Sequence, residues 1–285
     1  MPDFPIVDAH VHVYDLSLEH PWMAGAPRLA EPHPPERFFA STGGVEVEAA
    51  VFVEVDVAAG RHLDEAAYVA RVAEAEPRIR GAVFAAPLER GAEAVAADLD
   101  RIAAIPLARG VRRLIQAHRD EPGWALREPF VEAVRAVGAR GLSFDLCIHA
   151  PQLAEATELV RRRPEVRFVL DHIGKPEIRA GRLDPWRDEL RALSRLPNVW
   201  LKLSGVATEA DHERWREDEL LPYIRHALDC FGVERAMFGG DWPVSTLAID
   251  YARWVALVED ALAGASEDER RRLFRGTATE VYRLG

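Results

Sequence analysis

FPIVDAHVHVYD, residues 4–15, reads as a strand that delivers polar side chains to its own end. Side chains alternate across a strand, so Asp8, His10 and His12 fall on one face and Val7, Ala9 and Val11 on the other. If the apolar set meets a layer of helices, the polar set points into an enclosed interior. Two imidazoles two residues apart on one face can then converge on a metal ion or a substrate oxygen.

Seven further short apolar runs follow: EAAVFVEVD (48–56), RGAVFAAPL (80–88), GVRRLIQ (110–116), LSFDLCIH (142–149), VRFVLDH (166–172), NVWLKLSG (198–205) and RAMFGGDWP (235–243). Between and after them, residues 64–76, 92–105, 129–139, 153–163, 186–196, 220–231, 250–262 and 266–284 carry apolar residues at helical spacing. Strict strand–helix alternation implies a parallel sheet. Eight such units fit a closed (β/α)8 TIM barrel of α/β class, read as one domain over 1–285. The alternative, an open doubly wound sheet, calls for a Gly-rich first turn, and none follows the first run.

In a barrel, chemistry sits at the C-terminal ends of the strands. The same phase argument places Ser143, Asp145, Cys147 and His149 of the fifth run, and Lys202 and Ser204 of the seventh, in the lumen. His172 closes the sixth run, and Asp241 the eighth. The longest connection, Tyr14 to about Thr42, is rich in proline and aromatics. Following a strand, it belongs at the catalytic face, as a functional loop or as packing against a second subunit.

Composition excludes several classes. The net charge of −11 argues against a nucleic-acid partner. No apolar run reaches the roughly 20 residues of a membrane helix, and the N-terminus carries no secretion-signal pattern. The two cysteines, Cys147 and Cys230, suit a reducing cytoplasm. Of 36 basic residues only Lys175 and Lys202 are lysine, and both lie in the strand-end segments.

DAHVHVYD, DLCIHAPQL, FVLDHIGKP, VWLKLSG and RAMFGGDWPV, in this order, resemble the lactonase branch of the amidohydrolase superfamily, which includes sugar-lactone hydrolases and pyrone-dicarboxylate lactonases. The resemblance spans nearly the whole chain. It implies a carboxylic ester hydrolase in which water attacks a lactone carbonyl. Asp241 would be the general base, with His10, His12 and His172 hydrogen-bonding the developing oxyanion and Lys202 assisting. Alternatively, Lys202 holds a structural ion pair. One zinc or similar divalent ion on His10, His12 and Asp241 is an option, with no cofactor strictly required. Gln116 stands in the fourth run, where binuclear members carry a modified lysine, so a binuclear centre is not expected. The chain also reads Gly239-Gly240-Asp241 where the lactonases read Gly-Ser-Asp.

For substrate contacts the expectations are Trp22, Glu54, Arg112, Gln116 and His149, with Arg113, Arg119 and Arg179 as further candidates for a substrate carboxylate. The long aromatic loop and the lack of an arginine cluster favour a neutral sugar lactone, handled by a monomer or homodimer. The alternatives are a pyrone dicarboxylate and a metal-dependent decarboxylase of aromatic or muconate-type acids.

Overall fold

The computed structural model describes residues 1–285. Eight strands form one parallel sheet in sequential order: β1 (Ile6–Val11), β2 (Val47–Val53), β3 (Ile79–Ala85), β4 (Ala108–Leu114), β5 (Ser143–Cys147), β6 (Phe168–Leu170), β7 (Val199–Leu203) and β8 (Ala236–Phe238). The seam between first and last strand is closed by main-chain bonds from His12 N to Trp242 O and from Asp241 N to His10 O, both 2.8 Å. That closure fixes Asp241 beside the two histidines of β1.

Helices α1 (Pro35–Ala40), α2 (His62–Ala75), α3 (Ala92–Ala103), α4 (Glu128–Ala139), α5 (Leu153–Arg162), α6 (Trp186–Ser194), α7 (Glu217–Phe231) and α8 (Tyr251–Ala261) lie between and after the strands. Their apolar stripes bury against outward strand residues such as Phe52, Phe84, Val111, Phe144, Phe168, Leu201 and Phe238 in one large core. The segment read as a single last helix is broken into α9 (Glu267–Arg271), a π turn and α10 (Thr277–Val281). Ala278, Val281, Tyr282 and Leu284 pack with Val7, Ala9, Val51, Val83, Val169 and Met237, plugging the lower lumen. No helix is long and apolar enough to cross a membrane.

The expected phase of β1 needs correction. Val7 and Ala9 belong to the lumen cluster, whereas Asp8 turns outward and accepts from Tyr251 Oη at 2.9 Å. The register then shifts between Asp8 and Val11. A bulge breaks the two-residue period, and here it returns His10 and His12 to the lumen. Asp8 Oδ1 holds this irregularity by accepting from His10 N (2.9 Å) and from Gly240 N (2.8 Å) across the seam.

Candidate active site

Three imidazoles converge on one carboxylate oxygen. Asp241 Oδ1 lies 3.7 Å from His10 Nε2, 3.4 Å from His12 Nε2 and 3.9 Å from His172 Nε2. All four residues are buried. Asp241 and His172 both sit at positive φ, 54° each, a region costly for residues with side chains. Along β6, alternation from Val169 through Asp171 would turn His172 outward, and the left-handed turn brings it back in. Gly205 permits the fit, since a Cβ there would stand 2.5 Å from His172 Nδ1.

Partners set the orientation of each ring. His12 Nδ1 donates to Val53 O at 2.8 Å, because a carbonyl only accepts. His12 Nε2 therefore presents a lone pair toward Asp241. His172 Nδ1 meets Ser204 Oγ at 2.9 Å. His10 Nδ1 faces Asp171 Oδ1 and Lys202 Nζ, each at 3.4 Å.

Burial pushes the Asp241 carboxyl up, but His172, His12 and His10 outweigh it and hold the group below the usual carboxylate range. Burial pushes His172 down to about 4 against the pull of Asp241, with Lys175 adding to the fall. Beneath His10, burial raises Asp171, yet Lys202, His10 and Arg112 more than offset it and keep the group ionised. Lys202 is fully buried between Asp145 (2.7 Å) and Asp171 (3.1 Å).

Above this floor opens a cavity of about 260 Å³, lined by His12, His172, Asp241, Arg112, Glu54 and Gln116 among others. Trp22, Tyr14, Val55, Leu114 and Val244 supply its apolar wall, and Asp56, Cys147, Lys175 and Thr208 complete it. The loop after β1 reaches the site. Trp22 donates its indole N–H to Val55 O at 2.7 Å and turns its ring to the cavity. Arg112 is taken up internally, by Glu54 Oε1 (2.6 Å), Glu54 O (2.8 Å) and Asp171 Oδ2 (3.1 Å).

Four expectations are corrected. Lys202 lies below the floor and does not reach the cavity. It pairs with Asp145 and Asp171, and the groups that hold Asp241 below the usual carboxylate range are the three imidazoles. His149 stands past the end of β5 at the start of a 3-10 turn, outside the cavity lining. Arg113 pairs with Glu89, while Arg119 and Arg179 are exposed. Asp8, placed in the lumen by simple alternation, faces α8. The sequence reading missed Asp171. Alternation from Val169, which faces the lumen, was the signal that would have found it.

The donor set suits one divalent ion. Ligand atoms of His10, His12 and Asp241 lie within 4.8 Å of one another. Ligands ~2.0–2.2 Å from a tetrahedral zinc stand ~3.3–3.6 Å apart, near the 3.4 and 3.7 Å seen from His12 and His10 to Asp241. A bare imidazole lone pair facing a carboxylate is a natural seat for a cation. Strand β4 offers the guanidinium of Arg112 at 3.4 Å from His10 Nε2, so a second ion would meet a positive charge there.

A curated L-fucono-1,5-lactonase of Burkholderia multivorans is 33% identical to this chain over 299 residues, covering 98% of it and 96% of the relative. Another from Burkholderia ambifaria is 38% identical over 196 residues, 66% of either chain. The crystal structure of an amidohydrolase from Burkholderia multivorans with bound zinc superposes with a TM-score of 0.87 at 31% identity, covering 99% of this chain and 100% of that one. The amidohydrolase family profile matches residues 7–284. Since that match runs from the first strand, with its two histidines, past the aspartate of the eighth to the plug beneath the barrel, the chain belongs to the amidohydrolase family.

Proposed function

We propose that this chain opens the ring of a sugar lactone by adding water to the lactone carbonyl, with Asp241 taking the water's proton. The observation that carries this reading is the convergence of three imidazoles on Asp241 Oδ1, at 3.4–3.9 Å, on the floor of the cavity. The lactonase names of the relatives support the substrate class. At about 260 Å³ the cavity is smaller than the roughly 300 Å³ at which pockets for drug-sized ligands begin, as a single sugar ring requires. Arg112, already neutralised by Glu54 and Asp171, favours a neutral ring over a dicarboxylate. Trp22 would cover one sugar face, while Glu54, Gln116 and Thr208 meet hydroxyls.

Asp241 is a weak base, so the electrophile must be polarised and the water well placed. His172 faces the point where the oxyanion forms: with Nδ1 accepting from Ser204 Oγ its Nε2–H is free to donate there, and a well-directed donor contributes about 2–4 kcal/mol, whereas His12 turns a lone pair inward and His10 lies outside the cavity lining. Lys202 acts at one remove, fixing Asp171 and through it His10. His10, His12 and Asp241 would hold one divalent ion, which when bound polarises the carbonyl and acidifies water. The guanidinium beside His10 weakens that cation site, so activity partly survives chelation and zinc binds at no more than one per chain.

The test is a panel of neutral aldonolactones with a pH indicator, with and without chelator, alongside CO2 detection. Acid release from a sugar lactone supports the reading. CO2 release from an aromatic or muconate-type acid, with strict metal dependence, replaces it with a decarboxylase.

A further inference from the structure

The two lysines differ in how well their surroundings explain them. Lys202 is a compact ammonium wedged between two buried carboxylates, where a planar guanidinium needs more room. Lys175 lines the reaction cavity with no carboxylate partner. Its Nζ makes one side-chain hydrogen bond, to Gln116 Oε1 at 2.6 Å, and two N–H donors remain free. The cavity's other cation, Arg112, is spent on Glu54 and Asp171.

The backbone is also forced to bring Lys175 here. His172, Ile173, Gly174 and Lys175 all hold positive φ, at 54°, 48°, 75° and 46°. Ile173 is β-branched, a type that enters this region only under constraint. The left-handed turn sends residues 172 and 175 into the same cavity. A chain that uses arginine almost everywhere else keeps lysine at this point. An arginine would supply the charge, but with a pKa above ~12 it would not release its proton.

We propose that Lys175 is the catalytic acid that protonates the departing ring oxygen, an inference that rests on the lactonase reading above. Water adds to the carbonyl carbon and passes a proton to Asp241. As the tetrahedral intermediate collapses, the bond from carbonyl carbon to ring oxygen breaks and its electron pair stays on the oxygen. A proton moves from Lys175 Nζ to that oxygen, which becomes the product hydroxyl. Asp241 then loses its proton to solvent, Lys175 regains one, and ionisation of the new carboxylic acid leaves one proton released overall. Gln116 is a positioning residue, holding one N–H of the ammonium so that another points at the substrate.

The experiment compares a sugar 1,5-lactone with its thiolactone, in which sulfur replaces the ring oxygen, since a thiolate leaves without needing a proton. Lys175→Met is expected to lower kcat on the oxygen lactone by roughly 10²–10⁴-fold and to leave the thiolactone within about tenfold of the parent. Lys175→Arg should fall with Lys175→Met on the oxygen lactone. Gln116→Met should show a smaller loss with the same preference for sulfur, and it carries the test if the Lys175 variants fail to fold by thermal midpoint. Equal losses on both substrates, a parental kcat in Lys175→Arg, or a change confined to KM would each overturn the assignment. A parent that opens no sugar lactone would instead overturn the lactonase reading itself.

Discussion

The lumen of this barrel has two halves built by the same strands. The lower half is apolar: Val7, Ala9, Val51, Val83, Val169 and Met237 close over Tyr282 and Leu284 from the C-terminal segment. The upper half is polar and charged: His10, His12, His172 and Asp241 over Asp171, Arg112 and Lys202. Apolar burial is non-directional, so the lower half asks only for volume. Buried charges demand a partner each, and in the upper half every group is tied to a particular neighbour. Positive φ at non-glycine residues is concentrated around the polar half, at Asp56, His172, Ile173, Lys175 and Asp241, with Arg283 beside the plug below. Stability is concentrated below and chemistry above, with the Asp145–Lys202–Asp171 network as the boundary, to which Tyr282 Oη donates from beneath at 2.6 Å.

The sharpest test of the division is Asp241→Asn, which keeps the shape and removes the base. Turnover should drop by roughly 10²–10⁴-fold with a nearly parental thermal midpoint. At the boundary, Lys202→Met strands two buried carboxylates and should cost about 3–5 kcal/mol of stability. It should lower kcat as well, because Asp171 no longer orients His10; chemical denaturation and kinetics read the two effects separately. Below the boundary, Met237→Ala should cost about 2–5 kcal/mol while the folded fraction keeps its kcat/KM. An effect of Met237→Ala on kcat alone would break the comparison.

The smallest effect lies outside the lumen and depends on pH. Burial, with Glu54 adding to it, pushes the carboxyl of Glu65 on α2 from 4.5 up to about 8. Below pH 4.5 folded and unfolded chains both carry the proton, and nothing is lost. As pH rises toward 8 the unfolded chain sheds the proton first, so stability falls, and the loss is complete above 8. Glu65→Gln removes this dependence and can still accept from Val55 N, as Glu65 does at 2.8 Å. Its thermal midpoint should exceed the parent's by a margin that grows from pH 5 to pH 8. A margin that shrinks with pH would contradict the assignment.

The eight-unit barrel was legible because strand and helix periods alternate without interruption. His10, His12, His172 and Asp241 were legible because each ends a strand, where loops and chemistry meet. The phase of β1 was not, since the bulge held by Asp8 shifts the register and no local residue pattern announces it. His149 was misjudged for a related reason: β5 stops at Cys147, and alternation cannot be carried past a strand's end. Lys202 was correctly sent to the lumen, but its depth depends on where it falls along the barrel axis, which periodicity does not measure. The plug was invisible as such, because an amphipathic helical pattern does not say which end of a barrel it covers.

On this reading the polar upper half of the lumen adds water to a lactone carbonyl. Hydrolysis of a sugar lactone in ¹⁸O-labelled water, followed by mass spectrometry of the product, tests it most directly. The expected result is a single ¹⁸O in the product carboxylate, none in the hydroxyl released from the ring, and loss of the enzymic rate in Asp241→Asn. Label in that hydroxyl, or a substrate consumed with release of CO2, would contradict it.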